Sequence, residues 1–135
     1  MEQPSASEDR TFAPIDPGVD IGHVHLKVAD IDRALAFYRD VLGFELQQRF
    51  GTEAAFVSAG GYHHHIGLNT WAGVGAPPPP PGAIGLRHFV VKMPSAPALA
   101  ATSERLRAAA IPTESVGEGL LVHDPADNAI LLSIA

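Results

Sequence analysis

From Ile21 to Val28 the chain alternates (IGHVHLKV), with Val24, Leu26 and Val28 on one parity and His23, His25 and Lys27 on the other. A period of two predicts a strand with one apolar and one polar face. At Asp30 the period changes. Leu35, Tyr38 and Leu42 fall at helical spacing with Ala34, Phe37 and Val41 beside them, while Arg33, Arg39 and Asp40 take the other side. Asp30 is a good N-cap, and Gly43 suits the position just past the last turn. Phe44-Glu45-Leu46 and Ala54–Ser58 (AAFVS) read as further strands. Gly60-Gly61 then turns the chain into GYHHHIGLNTW, residues 61–71.

Five consecutive prolines, Pro77–Pro81, interrupt the pattern. They can join neither a helix nor a central strand and predict a stiff, extended joint over residues 75–83. Beyond it the pattern restarts. Leu86–Met93 (LRHFVVKM) reads as a strand, and Ser95 caps a helix to about Ala110 with Leu99 and Leu106 on its inner face. Pro112 closes that helix. Gly119–Val122 and Ala129–Ile134 are the last strands, joined by the turn Asp124-Pro125-Ala126-Asp127-Asn128.

Laid over each other, HVHLKV (from His23) and HFVVKM (from His88) match at an offset of 65 residues, His on His and Lys27 on Lys92. The caps Asp30 and Ser95 match at the same offset. The chain therefore reads as an α+β tandem of two βαβββ modules, residues 20–74 and 84–135. Two such modules side by side bring their first strands together, so His23 and His88 are expected to approach across a shared groove.

Composition narrows the function classes. At 135 residues the chain has the size of one domain, expected over 19–135 after a polar, acidic leader over 1–18. The leader lacks the apolar stretch of a secretory signal. The formal net charge is −6 and no basic cluster stands out, so no nucleic-acid partner is expected. No apolar run reaches about 18 residues, so no membrane span is expected. The absence of cysteine excludes disulfides and thiolate chemistry and fits a reducing cytoplasm.

The candidate chemistry is imidazole. The histidines, at 23, 25, 63, 64, 65, 88 and 123, all fall in or beside expected strands. Alternation puts His23 with His25 on one face and His63 with His65 on another, with His64 opposed to the latter pair. Neutral imidazole binds iron, manganese, nickel or zinc, and its ordinary pKa of about 6.5 suits proton transfer. Trp71 either stacks on an aromatic substrate or anchors a strand end. Phe56 either lines the groove or fills it. Tyr38 reads as core, Lys27 and Lys92 as solvated strand ends, and Asp124-Pro125 and Asn128 as turn chemistry.

GHVHLKVADIDRALAFYRDVLGF, GLRHFVVKMP and the closing DPADN together resemble the vicinal oxygen chelate superfamily of glyoxalase I, bleomycin-resistance proteins and extradiol dioxygenases, over about residues 20–135. GGYHHHIGLNTW is similar to catechol-2,3-dioxygenase-type members. The resemblance implies a curved mixed sheet forming a half-open barrel around a metal. It implies Fe(II), or Mn(II), on His23 and His88, and His65 as acid–base catalyst, with His64 as the fallback. It also implies a small catechol-like substrate and a homodimer. The family's closing D-P-x-G-N-x-x-E here ends in Leu131, which cannot bind a metal, and its glycine is Asp127. The matching carboxylate of the first module falls at or near Ile66. His25, His65 or His123 then become substitute ligands. The rival expectations are a metal-free small-molecule binding protein of the same fold and a noncatalytic partner module.

Overall fold

The computed structural model describes residues 23–61, 64–80, 82–83 and 85–134. The leader, Ile21, Gly22, Tyr62 and His63 lie outside these. Two mixed four-stranded sheets carry the fold. The first is built from β1 (Val24–Lys27), β2 (Glu45–Phe50), β3 (Ala54–Ser58) and β4 (Ile66–Asn69), in the order β1-β4-β3-β2. The second repeats that order, β5-β8-β7-β6, with β5 (Phe89–Lys92), β6 (Glu114–Val116), β7 (Gly119–His123) and β8 (Ala129–Ser133). In each, the first strand runs parallel to the last and the others are antiparallel. The sheets are not closed into a barrel. β6 carries no clear sequence pattern (Glu-Ser-Val, all exposed) and completes the second module. The strand after the histidines starts at Ile66, so His64 and His65 lie in the connection before it.

Asp30 caps the first helix as its side chain predicts, accepting from Arg33 N at 2.9 Å. The helix starts as α1 (Ile31–Leu35) and widens into π-helical turns over Ala36–Val41. The widening buries two consecutive rings, Phe37 and Tyr38, which meet edge to face at 4.9 Å. Gly43, at φ +92°, ends it. That left-handed conformation disfavours a side chain. Helix α2 (Ala96–Ala108) is capped by Ser95.

One core spans both modules. Leu26, Leu68 and Ala55 form a buried cross-strand row in the first sheet, and Leu35, Tyr38, Leu106, Val122, Ile130 and Leu132 continue the same cluster. Burial of these side chains is the main driving force. Three polar contacts fix how the modules meet. Tyr38 Oη donates to Asp124 Oδ2 (2.7 Å), Asn128 Nδ2 donates to the Lys27 carbonyl (2.9 Å), and Arg105 Nε donates to the Val41 carbonyl (2.7 Å). The proline-rich joint is held to the first module: Gly75 N–H donates to the Ala29 carbonyl and Lys27 Nζ to the Pro77 carbonyl.

Candidate functional site

His23 immediately precedes β1 and His88 immediately precedes β5, so the repeat puts them at equivalent places in the two modules. Both line one groove of about 630 Å³, together with His65. Its walls are apolar, with Val24, Ile66, Phe44, Phe89 and Val90 among them, and Lys92 lies further along β5. His65 is pinned by its backbone, its N–H donating to the Val57 carbonyl and its carbonyl accepting from Val24 N–H. Its ring is pinned too, since Nδ1 accepts from Ala59 N–H at 3.1 Å. A neutral imidazole whose Nδ1 accepts carries its proton on Nε2. In this position His65 is a hydrogen-bond donor through Nε2, and a proton-accepting role requires the Ala59 bond to break.

The other candidates form a ladder of rings on the outward face of the first sheet. His64 lies 4.7 Å from His23 and 5.0 Å from Phe56, between ring centroids. Phe56 meets His25 at 6.0 Å, and His25 meets Trp71 at 5.1 Å. Gly67 makes this possible. It pairs with His25 on one side and Phe56 on the other, and a Cβ there would stand 3.0 Å from His25 Nδ1 and 3.2 Å from the Phe56 ring. Trp71 is 68% exposed, so it is not an anchor of the core.

His25 does not line the histidine groove. It faces a separate cavity of about 220 Å³ with Lys27 beneath the proline joint. His123 ends β7 opposite Ala129, exposed and also outside the groove. Leu131 lies between the apolar side chains of Val90 and Leu121, in a cross-strand row that ends at Glu114 on β6. The place equivalent to it in the first sheet is Gly67 rather than Ile66, because Gly67 pairs with His25 as Leu131 pairs with Val90. Neither sheet offers a carboxylate there. Among the described residues no three His, Asp or Glu side chains converge to hold a metal ion. His23 and His88 are thus two imidazoles without a third donor among the described residues, which do not by themselves complete the expected metal centre.

Of the two lysines read as solvated strand ends, one departs from that reading. Lys27 is half-buried, with its ammonium on the Pro77 carbonyl, where solvent was expected. Lys92 is exposed but lines the groove. The signal for both was the repeat itself, which set each lysine on the parity of its histidine.

Comparison with known proteins agrees with this architecture. The family model of the glyoxalase/bleomycin resistance protein/dioxygenase superfamily matches residues 20–125. A catechol-2,3-dioxygenase of Bacillus subtilis is 44% identical over 128 residues, covering 94% of this chain and 44% of that protein. The chain thus spans less than half the length of this relative. Among solved structures, a lactoylglutathione lyase of Agrobacterium tumefaciens superposes with a TM-score of 0.65 at 26% identity, covering 87% of this chain and 94% of the other. A glyoxylase/bleomycin resistance protein/dioxygenase domain of Frankia sp. EAN1pec gives 0.65 at 24% identity, covering 84% and 95%, and speaks for the fold. With a paired-module fold and a family match over most of its length, this chain belongs to the glyoxalase/bleomycin resistance protein/dioxygenase superfamily.

Proposed function

We propose that this chain serves extradiol, catechol-type ring cleavage, with the groove between β1 and β5 holding a small catechol-like aromatic. The observation that carries this reading is the pair of repeat-equivalent histidines, His23 and His88, on one apolar-walled groove. The similarity to a catechol-2,3-dioxygenase supports the substrate class and the reaction type. His23 and His88 are the two imidazoles this chain offers to Fe(II) or Mn(II). The third donor then comes from outside the described residues, from a second copy in a homodimer or from chain length such as the relative has beyond this match. His65, on the groove wall with its ring held by Ala59, is the acid–base residue of this reading, with His64 beside His23 as the alternative. Phe56 and Trp71 extend an aromatic surface from that end of the site. No described helix is long and apolar enough to cross a membrane. A cysteine-free chain suits a cytoplasmic setting.

A second reading has its own observation. Leu131 and Gly67 leave both carboxylate places apolar, which favours a metal-free protein that binds the aromatic without cleaving it. Anaerobic loading with Fe(II), followed by gel filtration and metal analysis of the wild type and His88→Ala, separates the two. A tightly held ion, lost in the variant and accompanied by catechol turnover, supports the dioxygenase reading. Catechol binding with no retained metal in either protein sinks it and leaves the binding protein.

A further inference from the structure

We propose that the groove selects an aromatic acid: the ligand's carboxylate is held by Lys92, and its ring lies at the end lined by His23, His65 and His88. This rests on the reading of the groove as an aromatic site and goes beyond it by naming the charged group the ligand carries.

The argument starts from charge. The chain has 15 acidic and 9 basic residues, so carboxylates outnumber cations in the sequence. The groove has the opposite balance. Among the described residues that line it there is one permanent cation, Lys92, three imidazoles and no carboxylate. Lys92 has no ion pair or hydrogen bond among the described residues. It therefore offers all three ammonium donors to a ligand. A neutral ligand would leave this end of the groove unused, and a cationic one would meet only like charge.

Geometry sets where the carboxylate stands. His88 and Lys92 lie on the same parity of β5, four positions apart, which is roughly 13 Å along a strand at about 3.3 Å per residue. The flexible stem of Lys92 can fold back over Val90, itself 48% exposed in the groove wall. A phenyl ring with a short alkanoate tail spans that distance, with apolar wall along its length. The groove, about 630 Å³, is within the ordinary range for ligands of this size. Lys27, the repeat-equivalent residue, is excluded from the same role because it lies outside the groove and its ammonium is already on the Pro77 carbonyl.

The test measures binding of 3-(3,4-dihydroxyphenyl)propanoate and of its neutral primary amide by calorimetry at low salt. The proteins are the wild type, Lys92→Met, Lys92→Arg and Lys27→Met. Because Lys92 is exposed, the expected preference of the wild type for the acid is modest, about fivefold, and shrinks with added salt. The acid-to-amide ratio should fall to near unity in Lys92→Met, return in Lys92→Arg and stay unchanged in Lys27→Met. Equal affinities for acid and amide in the wild type would overturn the proposal while leaving the aromatic groove standing. A ratio that persists in Lys92→Met would overturn the role of Lys92. If neither compound binds the wild type, the aromatic-groove reading fails and the proposal falls with it.

Discussion

Tyr38 and Asp124, 86 positions apart in the chain, meet through a buried 2.7 Å hydrogen bond that ties the helix of the first module to the β7–β8 turn of the second. Asp124 also accepts from Ala126 N–H, Asn128 N–H and Asn128 Nδ2. Asn128 Nδ2 in turn reaches the Lys27 carbonyl on β1, the strand that His23 precedes. The turn therefore sets the position of one module against the other, and with it the two walls of the groove.

Removing the Tyr38 hydroxyl leaves Asp124 with its three other donors. Tyr38→Phe should cost about 1.5–3 kcal/mol, the usual range for a hydrogen bond to a charged group. Asp124→Ala should cost more, since it strands the buried Tyr38 hydroxyl and opens the turn. Urea unfolding of both variants checks the order. Equal stability of Tyr38→Phe and wild type would show that the bond does not hold the modules.

The same pair predicts an alkaline limit. Burial, then the Asp124 charge and hydrogen bond, push the Tyr38 phenol far above its ordinary value. In the unfolded chain it ionises near pH 10. A group whose folded pKa is raised contributes stability that is fully present below the unfolded pKa and lost as pH rises past it. Stability should therefore decline above about pH 10, and less steeply in Tyr38→Phe. Denaturant midpoints measured from pH 8 to 11 test this, and parallel pH profiles for the two proteins would contradict it.

Arg105 makes a second junction. Its guanidinium, on α2, donates to the Val41 carbonyl (2.7 Å) and the Leu42 carbonyl (3.2 Å), where the first helix ends. A cation there satisfies terminal carbonyls and opposes the helix dipole. Arg105→Met should destabilise by about 0.5–1 kcal/mol, as expected for an exposed cap. Arg107, which among the described residues pairs with Glu104 on the same exposed face, serves as the comparison. Arg107→Met should change stability little, so equal losses in the two variants would remove the capping explanation.

What was legible in the sequence was local. Asp30, Ser95 and Gly43 mark helix ends through their own backbone chemistry, and the short run Ala54–Ser58 read as a strand with its observed bounds. The offset between His23 and His88 predicted their shared groove because a repeat carries topology as well as pattern. The bonds of Tyr38 and Arg105 were not legible, since their partners lie 86 and 64 positions away and have no local signature. Lys27 looked solvated because nothing in its strand tells that the proline joint returns to cover it. The closing carboxylate of the family motif was the reverse case: Leu131 in its place was visible directly, and the structure added that Gly67 stands at the equivalent place in the first sheet.

Asp127 stands where the family motif has glycine, and its backbone pays for that with φ +69°. A non-glycine residue is strained in this region, although Asp tolerates it better than most. Asp127→Gly should relieve the strain, offset in part by greater freedom of the unfolded chain. The expected net gain is about 0.5 kcal/mol, read as a higher melting temperature. A loss of stability would mean that the Asp127 side chain makes a compensating contact.

Leu131 offers the sharpest test of the missing donor. It is half-buried beside Val90, on the strand next to the one that His88 precedes, and the family motif carries Glu at its position. Leu131→Glu puts a carboxylate between the apolar side chains of Val90 and Leu121, so it should cost about 1–3 kcal/mol of stability in the metal-free protein. If His23 and His88 are ligand positions, the variant should also hold Fe(II) or Mn(II) more tightly than the wild type through gel filtration. The bound ion should then recover part of the lost stability. Adding His88→Ala to the variant should abolish both effects. Retention that survives loss of His88 would show that the new carboxylate binds metal without the paired histidines, and His23 and His88 would no longer count as ligand positions.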